Sequence, residues 1–181
     1  LVMYSNTFDL WNVVNNNSGA ETGNYGNYSS MIGDIPSGIP ATVSIKFETG
    51  YTYDTTIWVD LNNNLVFDAA EALYVGQSTN ANPTVLTAEI TIPVGTPVGN
   101  YRMRIGSQDV GPAVPCYTGT YGSYEDYTVN VLPAPSCLPP SALSASGITN
   151  NAATIGWTAS SSAPSGNYDI YYSTTNTAPT A

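Results

Sequence analysis

Apolar and polar residues alternate one by one along several short stretches of the chain. Residues 43–47 and 57–61 place apolar side chains at every second position, as do residues 86–92, 101–105 and 127–131. Because side chains on a β-strand point alternately to opposite faces, this period of two predicts strands with one buried face. Gly- and Pro-rich turns separate the stretches. The pattern therefore predicts an all-β fold, an antiparallel β-sandwich of jelly-roll or immunoglobulin-like type.

The alternation is interrupted by a proline-rich segment. Residues 133–140 read Pro-Ala-Pro-Ser-Cys-Leu-Pro-Pro, a composition that favours a stiff, extended linker. We therefore expect a first domain over residues 1–132 and a second unit over residues 141–181. A piece of about 40 residues cannot close a sandwich of its own, so we expect the second unit to be the start of a truncated β-sandwich.

Oxygen-bearing side chains recur at a regular spacing after the predicted strand at residues 57–61. Counted from Asp60, they fall at positions 1, 3, 5, 9 and 12, with a backbone carbonyl at position 7. This is the ligand spacing of a calcium loop, in which about six to eight oxygens surround the ion. The predicted Ca²⁺ ligands are Asp60, Asn62, Asn64, the Val66 carbonyl, Asp68 and Glu71.

Position 6 of this loop is Leu65, where calcium loops normally carry glycine for a sharp turn. Leu65, or Asn64 beside it, must therefore supply the turn. The alternative is a plain surface turn, which Asn and Asp favour by themselves. Because no helices flank the loop, we expect it to act as a structural staple and not as a sensor.

The chain is acidic and carries few charges. Its 13 Asp and Glu residues against 3 Lys and Arg residues give a net charge of −10, and it has no histidine. This argues against nucleic-acid and anionic-membrane partners, and no apolar run reaches the roughly 20 residues of a membrane helix.

Without histidine a nucleophile lacks its usual base, so we expect no enzyme activity. A glycosidase using Asp60, Asp68 and Glu71 is the alternative.

Arg102 and Arg104 share one face of a predicted strand, and Glu125 and Asp126 belong to a strand that we expect beside it. We predict an arginine–carboxylate cluster that fixes the strand register. The alternative is a second metal site formed by Glu125 and Asp126 with Asp109.

Tyrosine and cysteine add two further candidates. Tyr117, Tyr121 and Tyr124 surround a Gly/Thr loop and are the best candidates for an exposed patch that stacks on sugar rings, although tyrosines are common on sheets in any case.

Cys116 and Cys137 pair with each other, or each pairs with a cysteine outside this sequence; their spacing leaves both open.

Several short motifs follow one another within residues 1–132. They are Trp-Val-Asp-Leu-Asn at residues 58–62, the acidic run to Glu71, Gly-Asn-Tyr-Arg-Met-Arg at residues 99–104, Pro115-Cys116, and Gly-Ser-Tyr-Glu-Asp at residues 122–126. In this order they resemble the motifs of the GEVED domain, whose naming motif Gly-Glu-Val-Glu-Asp corresponds to residues 122–126.

A second set of positions lies within residues 139–181: Pro140, Leu143, Ala145, Ile148, Ile155 and Trp157, followed by the segment at residues 168–172. These positions are similar to the first half of a fibronectin type III domain, an immunoglobulin-like β-sandwich, in which residues 168–172 would be the third strand.

These resemblances imply a setting. Such modules occur in large multi-domain proteins that bacteria export to their surface or surroundings. The expected function is a non-catalytic, calcium-stabilised adhesion or spacer module; the alternatives are a carbohydrate-binding module that uses the tyrosine patch and an accessory domain of a secreted hydrolase. The expected partners are neighbouring domains of the same long chain, surface glycans or another surface or secretion protein, without nucleic acid or membrane insertion.

Overall fold

The computed structural model describes residues 5–10, 13–19, 22–109, 111–135, 140–160, 168 and 170. The chain divides into two compact units, Leu1–Ala134 and Pro135–Ala181. Regular structure in the described residues is almost entirely β-strand, apart from the short 3-10 helices Thr22–Asn24 and Ala69–Glu71. The all-β sandwich predicted from the alternating pattern is confirmed.

The first unit contains nine described strands. In chain order they are β1 (Ser5–Leu10), β2 (Val13–Gly19), β3 (Tyr25–Pro36), β4 (Pro40–Phe47), β5 (Asp54–Val59), β6 (Ala72–Gln77), β7 (Thr84–Thr91), β8 (Gly99–Gln108) and β9 (Gly122–Leu132).

These strands form two sheets. One sheet has the order β2-β1-β4-β7 and the other the order β3-β9-β8-β5-β6. The first is antiparallel throughout. In the second, β3 and β9 run parallel, whereas alternation had predicted only antiparallel pairing. The period of two reports which face of a strand is buried and carries no information about the direction of its neighbour.

The hydrophobic core lies between the two sheets and takes its side chains from both. These side chains are at most 5 % exposed and include the alternating positions predicted from the sequence. Residues of this core are Val43, Ile45 and Phe47 of β4, Ile57 and Val59 of β5, Met103 and Ile105 of β8, and Val129 and Val131 of β9.

A second, smaller apolar cluster lies on the opposite face of the five-stranded sheet. Trp58 of β5 and Tyr124 of β9 pack there with Phe67 and Ala113, which come from the connections after β5 and β8. These connections cover the sheet, so β5 is buried on both faces. The covered outer face is where the candidate metal loop lies.

The second unit contains an antiparallel hairpin of β10 (Ser141–Ser146) and β11 (Thr154–Thr158). Trp157 meets Tyr168 edge to face, with ring centroids 5.3 Å apart. The predicted third strand at residues 168–172 lies largely outside the described residues. Among the described residues, no helix is both long and apolar enough to cross a membrane.

Candidate functional site

The candidate metal loop, residues 60–71, joins two adjacent antiparallel strands. Asp60 follows β5 directly and donates its backbone N–H to the Arg102 carbonyl at 2.9 Å, which extends the pairing of β5 with β8. At the other end, the 3-10 helix Ala69–Glu71 leads into β6, whose Ala72 lies opposite Trp58. Both ends of the loop are therefore fixed by the sheet.

Side-chain oxygens of the first half of the loop bind the loop's own backbone. Asp60, which is fully buried, accepts hydrogen bonds from the Asn64 N–H at 3.1 Å and the Leu65 N–H at 2.9 Å. The Asn62 side-chain oxygen accepts from the Asn64 N–H at 2.9 Å, and the Asn64 oxygen accepts from the Val66 N–H at 2.7 Å. These hydrogen bonds curve the backbone around the side-chain oxygens, so the loop is already curved without a bound ion.

The second half of the loop closes onto the first. Glu71 is 4 % exposed and accepts hydrogen bonds from the backbone N–H groups of Asn62 at 3.3 Å and Asp68 at 3.0 Å. The side-chain amides of Asn62 and Asn64 each reach Asp68 Oδ2 at 3.4 Å. The structure therefore brings together all five side chains that the spacing predicts as ligands.

Leu65 supplies the sharp turn. Its φ of +67° lies in the left-handed region, as does the φ of +54° at Asn63, whereas Asn64 is not among the residues with positive φ. The Leu65 side chain is 74 % exposed, so it makes this turn without filling the interior of the loop. The sequence left Leu65 and Asn64 open as alternatives, and the turn falls at Leu65.

The donor set of the loop suits a hard cation. It consists of carboxylate and amide oxygens with the Val66 carbonyl, the ligands that Ca²⁺ prefers. No group of three or more Asp, Glu, His or Cys side chains within the described residues is clustered closely enough to hold a metal through those groups alone. A calcium site here therefore depends on the two asparagine oxygens, and Asp68 would exchange its two amide contacts for the ion.

Arg102 and Arg104 extend from β8 over the outer face of the sheet beside this loop. The Arg102 guanidinium lies 3.7 Å from Asp60 Oδ2 and 4.4 Å from the centre of the Phe67 ring. Arg104 lies 5.0 Å from the same ring. Phe67, at the middle of the polar loop, thus packs against both cations.

Arg104 forms a two-pronged ion pair with Asp126. Its Nε and Nη2 donate to the two carboxylate oxygens at 2.6 and 2.7 Å, and its Nη1 donates to the Pro115 carbonyl at 2.8 Å. The hydrogen bond to Asp126 raises the pKa of Arg104. Tyr25 donates its hydroxyl to Asp126 at 2.8 Å, and burial, followed by this hydrogen bond, raises the pKa of Tyr25.

Glu125 lies on the other face of β9 and does not meet the arginines. It accepts a hydrogen bond from the Tyr127 hydroxyl at 2.7 Å, and Asn15 of β2 donates to the same hydroxyl at 2.9 Å, which connects the two sheets. Burial is the largest cause that raises the pKa of Tyr127. Because consecutive residues of a strand point to opposite faces, Glu125 and Asp126 cannot both face Arg104.

The alternative second metal site is not assembled. In the β8–β9 register, Asp126 lies opposite Arg104, whereas Gln108, the residue before Asp109, lies opposite Gly122. Asp109 is five residue positions beyond Arg104, which separates its carboxylate from that of Asp126 by roughly 16 Å.

The three predicted patch tyrosines have different environments. Tyr124 is 4 % exposed and donates its hydroxyl to Gln108 at 2.9 Å; burial raises its pKa. Tyr117 stacks on the Tyr124 ring at 5.9 Å and is half-buried. Tyr121 is 42 % exposed. The three therefore do not form one exposed patch.

The remaining sequence prediction concerns the two cysteines. Cys116 is exposed, and Cys137 lies outside the described residues, as does the predicted pairing between them.

Sequence reasoning missed Tyr25 and Phe67, which hold the arginine cluster in place. Phe67 carried a usable signal, because a large apolar residue inside an acidic, Asn-rich loop must pack against something. Tyr25 carried none, since its contact with Asp126 depends on the parallel β3–β9 pairing.

Comparison with known families connects this region to one of them. The family model of the GEVED domain matches residues 54–130, which run from β5 to β9 and include both the metal loop and the arginine cluster. This match supports the resemblance inferred for the first domain. No family match supports the fibronectin type III resemblance, which stays a prediction. The search of curated proteins gave no match to the chain.

Proposed function

We propose that the first unit is a non-catalytic structural module that Ca²⁺ stabilises by binding in the loop of residues 60–71. One observation carries this proposal: the side chains at positions 1, 3, 5, 9 and 12 converge around a left-handed turn at Leu65. Asp60, Asn62, Asn64, the Val66 carbonyl, Asp68 and Glu71 would hold the ion. When bound, the ion would supply positive charge beside the carboxylates of Asp60, Asp68 and Glu71.

The position of the loop supports a structural role. Asp60 and Glu71 are buried at the ends of β5 and β6, so ligands from both ends of the connection would be drawn to one point. A ligand that binds only the folded state stabilises that state by an amount that grows with the logarithm of its concentration relative to the Kd. In the part of the chain that the structure describes, no helix longer than one turn flanks the loop, which favours a staple over a switch.

A non-catalytic role agrees with how the acidic residues are used. Asp126 is neutralised by Arg104, Glu125 accepts from Tyr127, and the carboxylates of the loop accept backbone N–H groups. These contacts are structural in kind, and the sequence contains no histidine to act as a base.

The GEVED match motivates the rest of the proposal. We place the module in a large exported bacterial protein, at the cell surface or outside the cell, as an adhesion or spacer unit whose neighbours are other domains of the same chain. The second unit would be the start of a fibronectin type III domain. Surface glycans, or another surface or secretion protein, would be the external partners of the module.

Isothermal titration of the chain with CaCl₂ tests the metal site. We expect one site with a Kd on the order of 0.1–1 mM, as in extracellular calcium modules. Asp68→Asn should weaken binding by at least about tenfold, because it removes a charged ligand from an exposed position. Asp54→Asn, at the other end of β5, is the matched control and should bind like the wild type. Equal affinity of both variants would refute the assignment.

A further inference from the structure

A cleft with a volume of about 330 Å³ lies at the end of the five-stranded sheet opposite the metal loop. Its described lining is Tyr51, Thr52, Tyr53, Asp109 and Tyr121. The first three residues precede β5, whereas the metal loop follows it. The six residues of β5 separate the two features by roughly 20 Å, so the cleft is independent of calcium binding.

The walls of the cleft are held in place by the sheet. Tyr53 donates its backbone N–H to Ser78 Oγ at 2.9 Å and accepts from the Ser78 N–H at 2.9 Å, while its ring stacks on Phe47 at 5.9 Å. Asp109 donates its backbone N–H to the Tyr121 carbonyl at 3.1 Å. The polar groups of the cleft are therefore preorganised by the backbone, as a binding site requires.

Two residues of the cleft lining each carry a buried polar atom that has no hydrogen-bond partner among the described residues: Tyr53 Oη and Asp109 Oδ1. The Tyr53 side chain is fully buried. Burial raises the pKa of Tyr53, the nearby Thr49 hydroxyl opposes the rise, and the Asp109 carboxylate adds to it. Buried polar atoms of this kind are uncommon in folded proteins, and a ligand group or an ordered water satisfies them.

The chemistry of this partner follows from what the two atoms lack. Tyr53 has an O–H to donate, and Asp109 has an oxygen to accept. A hydroxyl group placed between them can accept from Tyr53 and donate to Asp109 at once. An ammonium group can only donate and would leave the Tyr53 proton without an acceptor.

The rings beside these atoms favour a hydroxyl-bearing ligand with an apolar face. Tyr51 is 54 % exposed and Tyr121 is 42 % exposed, and both line the cleft. Exposed aromatic rings provide rigid apolar area at low entropic cost, which suits the C–H face of a pyranose. The net charge of −10 and the Asp109 carboxylate disfavour acidic sugars.

The geometry points to this cleft as a binding site for one sugar residue of a neutral polysaccharide. A ring hydroxyl would bridge Tyr53 Oη and Asp109 Oδ1 while Tyr51 and Tyr121 contact the faces of the ring. This site shares only Tyr121 with the tyrosine patch predicted from the sequence. It rests on the proposed contact with surface glycans and deepens it by naming the class of sugar and the residues that would bind it.

Saturation-transfer NMR and titration calorimetry on the full chain test the site directly. The probes are cellotetraose, laminaritetraose, maltotetraose and chitotetraose, with N-acetyl-lysine methylamide as the ammonium probe. We expect at least one oligosaccharide to bind with a Kd on the order of 1 mM or tighter, with unchanged affinity in EDTA. If the affinity for the oligosaccharide is unchanged in EDTA, sugar binding does not depend on calcium, and a failure of one test can be told apart from a failure of the other.

Substitutions then locate the binding. Tyr53→Phe and Asp109→Asn each remove one member of the hydroxyl bridge and should weaken binding about tenfold, and Tyr121→Ala should do so by loss of the ring contact. Tyr101→Phe removes another tyrosine hydroxyl, one that donates to the Pro97 carbonyl, and should leave binding unchanged. Val85→Ala, an exposed truncation on the other sheet, is the control for Tyr121.

Three outcomes would overturn the inference. These are the absence of binding to any of the four oligosaccharides up to about 10 mM, binding of the ammonium probe in their place, and sugar binding that all three cleft variants retain. The first would mean that an ordered water alone bridges the two atoms.

Discussion

Leu65 shows how a single residue accepts an unfavourable conformation to complete a site. A left-handed conformation brings the Cβ of an L-residue close to the following carbonyl oxygen, at a cost of roughly 1–2 kcal/mol. At Leu65 this cost is offset by the hydrogen bond from its N–H to Asp60, which requires that turn. The side chain is exposed and contributes little packing in return.

Leu65→Gly should therefore stabilise the protein. We expect the free energy of unfolding to rise by about 0.5–1 kcal/mol, since relief of the left-handed strain exceeds the added entropy of glycine in the unfolded chain. Urea denaturation measures the change. Val66→Gly is the control, because Val66 is exposed and does not have positive φ; there we expect a loss of stability. A loss of stability in Leu65→Gly as well would contradict this account of the turn.

At the residue scale, the sequence was informative wherever spacing alone determines position. Counting from Asp60 predicted which side chains lie together in the loop, because residues at this spacing turn toward a common centre. It left the turn residue open, because φ at position 6 depends on the Asp60 hydrogen bonds. The unpaired atoms of Tyr53 and Asp109 were also beyond prediction, since these residues are 56 positions apart in the chain.

Strands β8 and β9 provide the charged side chains of the ion pair on the outer face of the five-stranded sheet. They pair residue by residue from Gly99 with Val131 to Gln108 with Gly122. This register places Arg104 directly opposite Asp126, and the Arg104 contact to Pro115 ties the connection between the two strands to the sheet. Arg104 thus contacts both the neighbouring strand, through Asp126, and the connection that covers the sheet, through Pro115.

Asp126→Asn should destabilise the protein strongly. The side chains of Arg104 and Asp126 are only 14 % and 6 % exposed, so the substitution leaves a largely buried guanidinium uncompensated. We expect a loss of about 3 kcal/mol in the free energy of unfolding, measured with urea.

The exposed pair Lys46–Glu48 provides the control, with side chains 33 % and 42 % exposed. Glu48→Gln should change stability by less than about 0.5 kcal/mol. Similar small effects at both positions would show that the Arg104–Asp126 pair contributes no more than a surface contact.

The alternation of side chains along a strand explains which contacts of β8 and β9 could be predicted from the sequence and which could not. Alternation places Glu125 and Asp126 on opposite faces, and applying it to all four charged residues would have separated Glu125 from the arginines. The contact of Arg102 with Asp60 was not predictable in this way. It depends on β5 lying beside β8, which alternation does not determine.

At the scale of the molecule, the sandwich combines a family-matched part with a part outside the match. The GEVED match begins at residue 54, where β5 starts, whereas β1, β2, β3 and β4 precede it. Yet β4 contributes Val43, Ile45 and Phe47 to the shared core, and β3 completes the edge of the five-stranded sheet. The folded unit is therefore larger than the matched region.

The net charge of the molecule is one reason why we expect a bound cation to stabilise it. With 13 acidic and 3 basic residues, the folded chain concentrates negative charge that opposes compaction. A divalent ion in the loop of residues 60–71 would neutralise part of this charge where three carboxylates belong to one connection. The calcium proposal is thus a claim about the stability of the whole first unit.

Thermal unfolding of the full chain with and without Ca²⁺ tests this claim most directly. With a Kd of about 0.1–1 mM, about 10 mM CaCl₂ should add about 1.4–2.7 kcal/mol to the free energy of unfolding relative to EDTA, which raises the Tm by several degrees. NaCl of equal ionic strength controls for screening. An unchanged Tm in CaCl₂, or an equal rise in NaCl, would contradict the claim that calcium holds this loop.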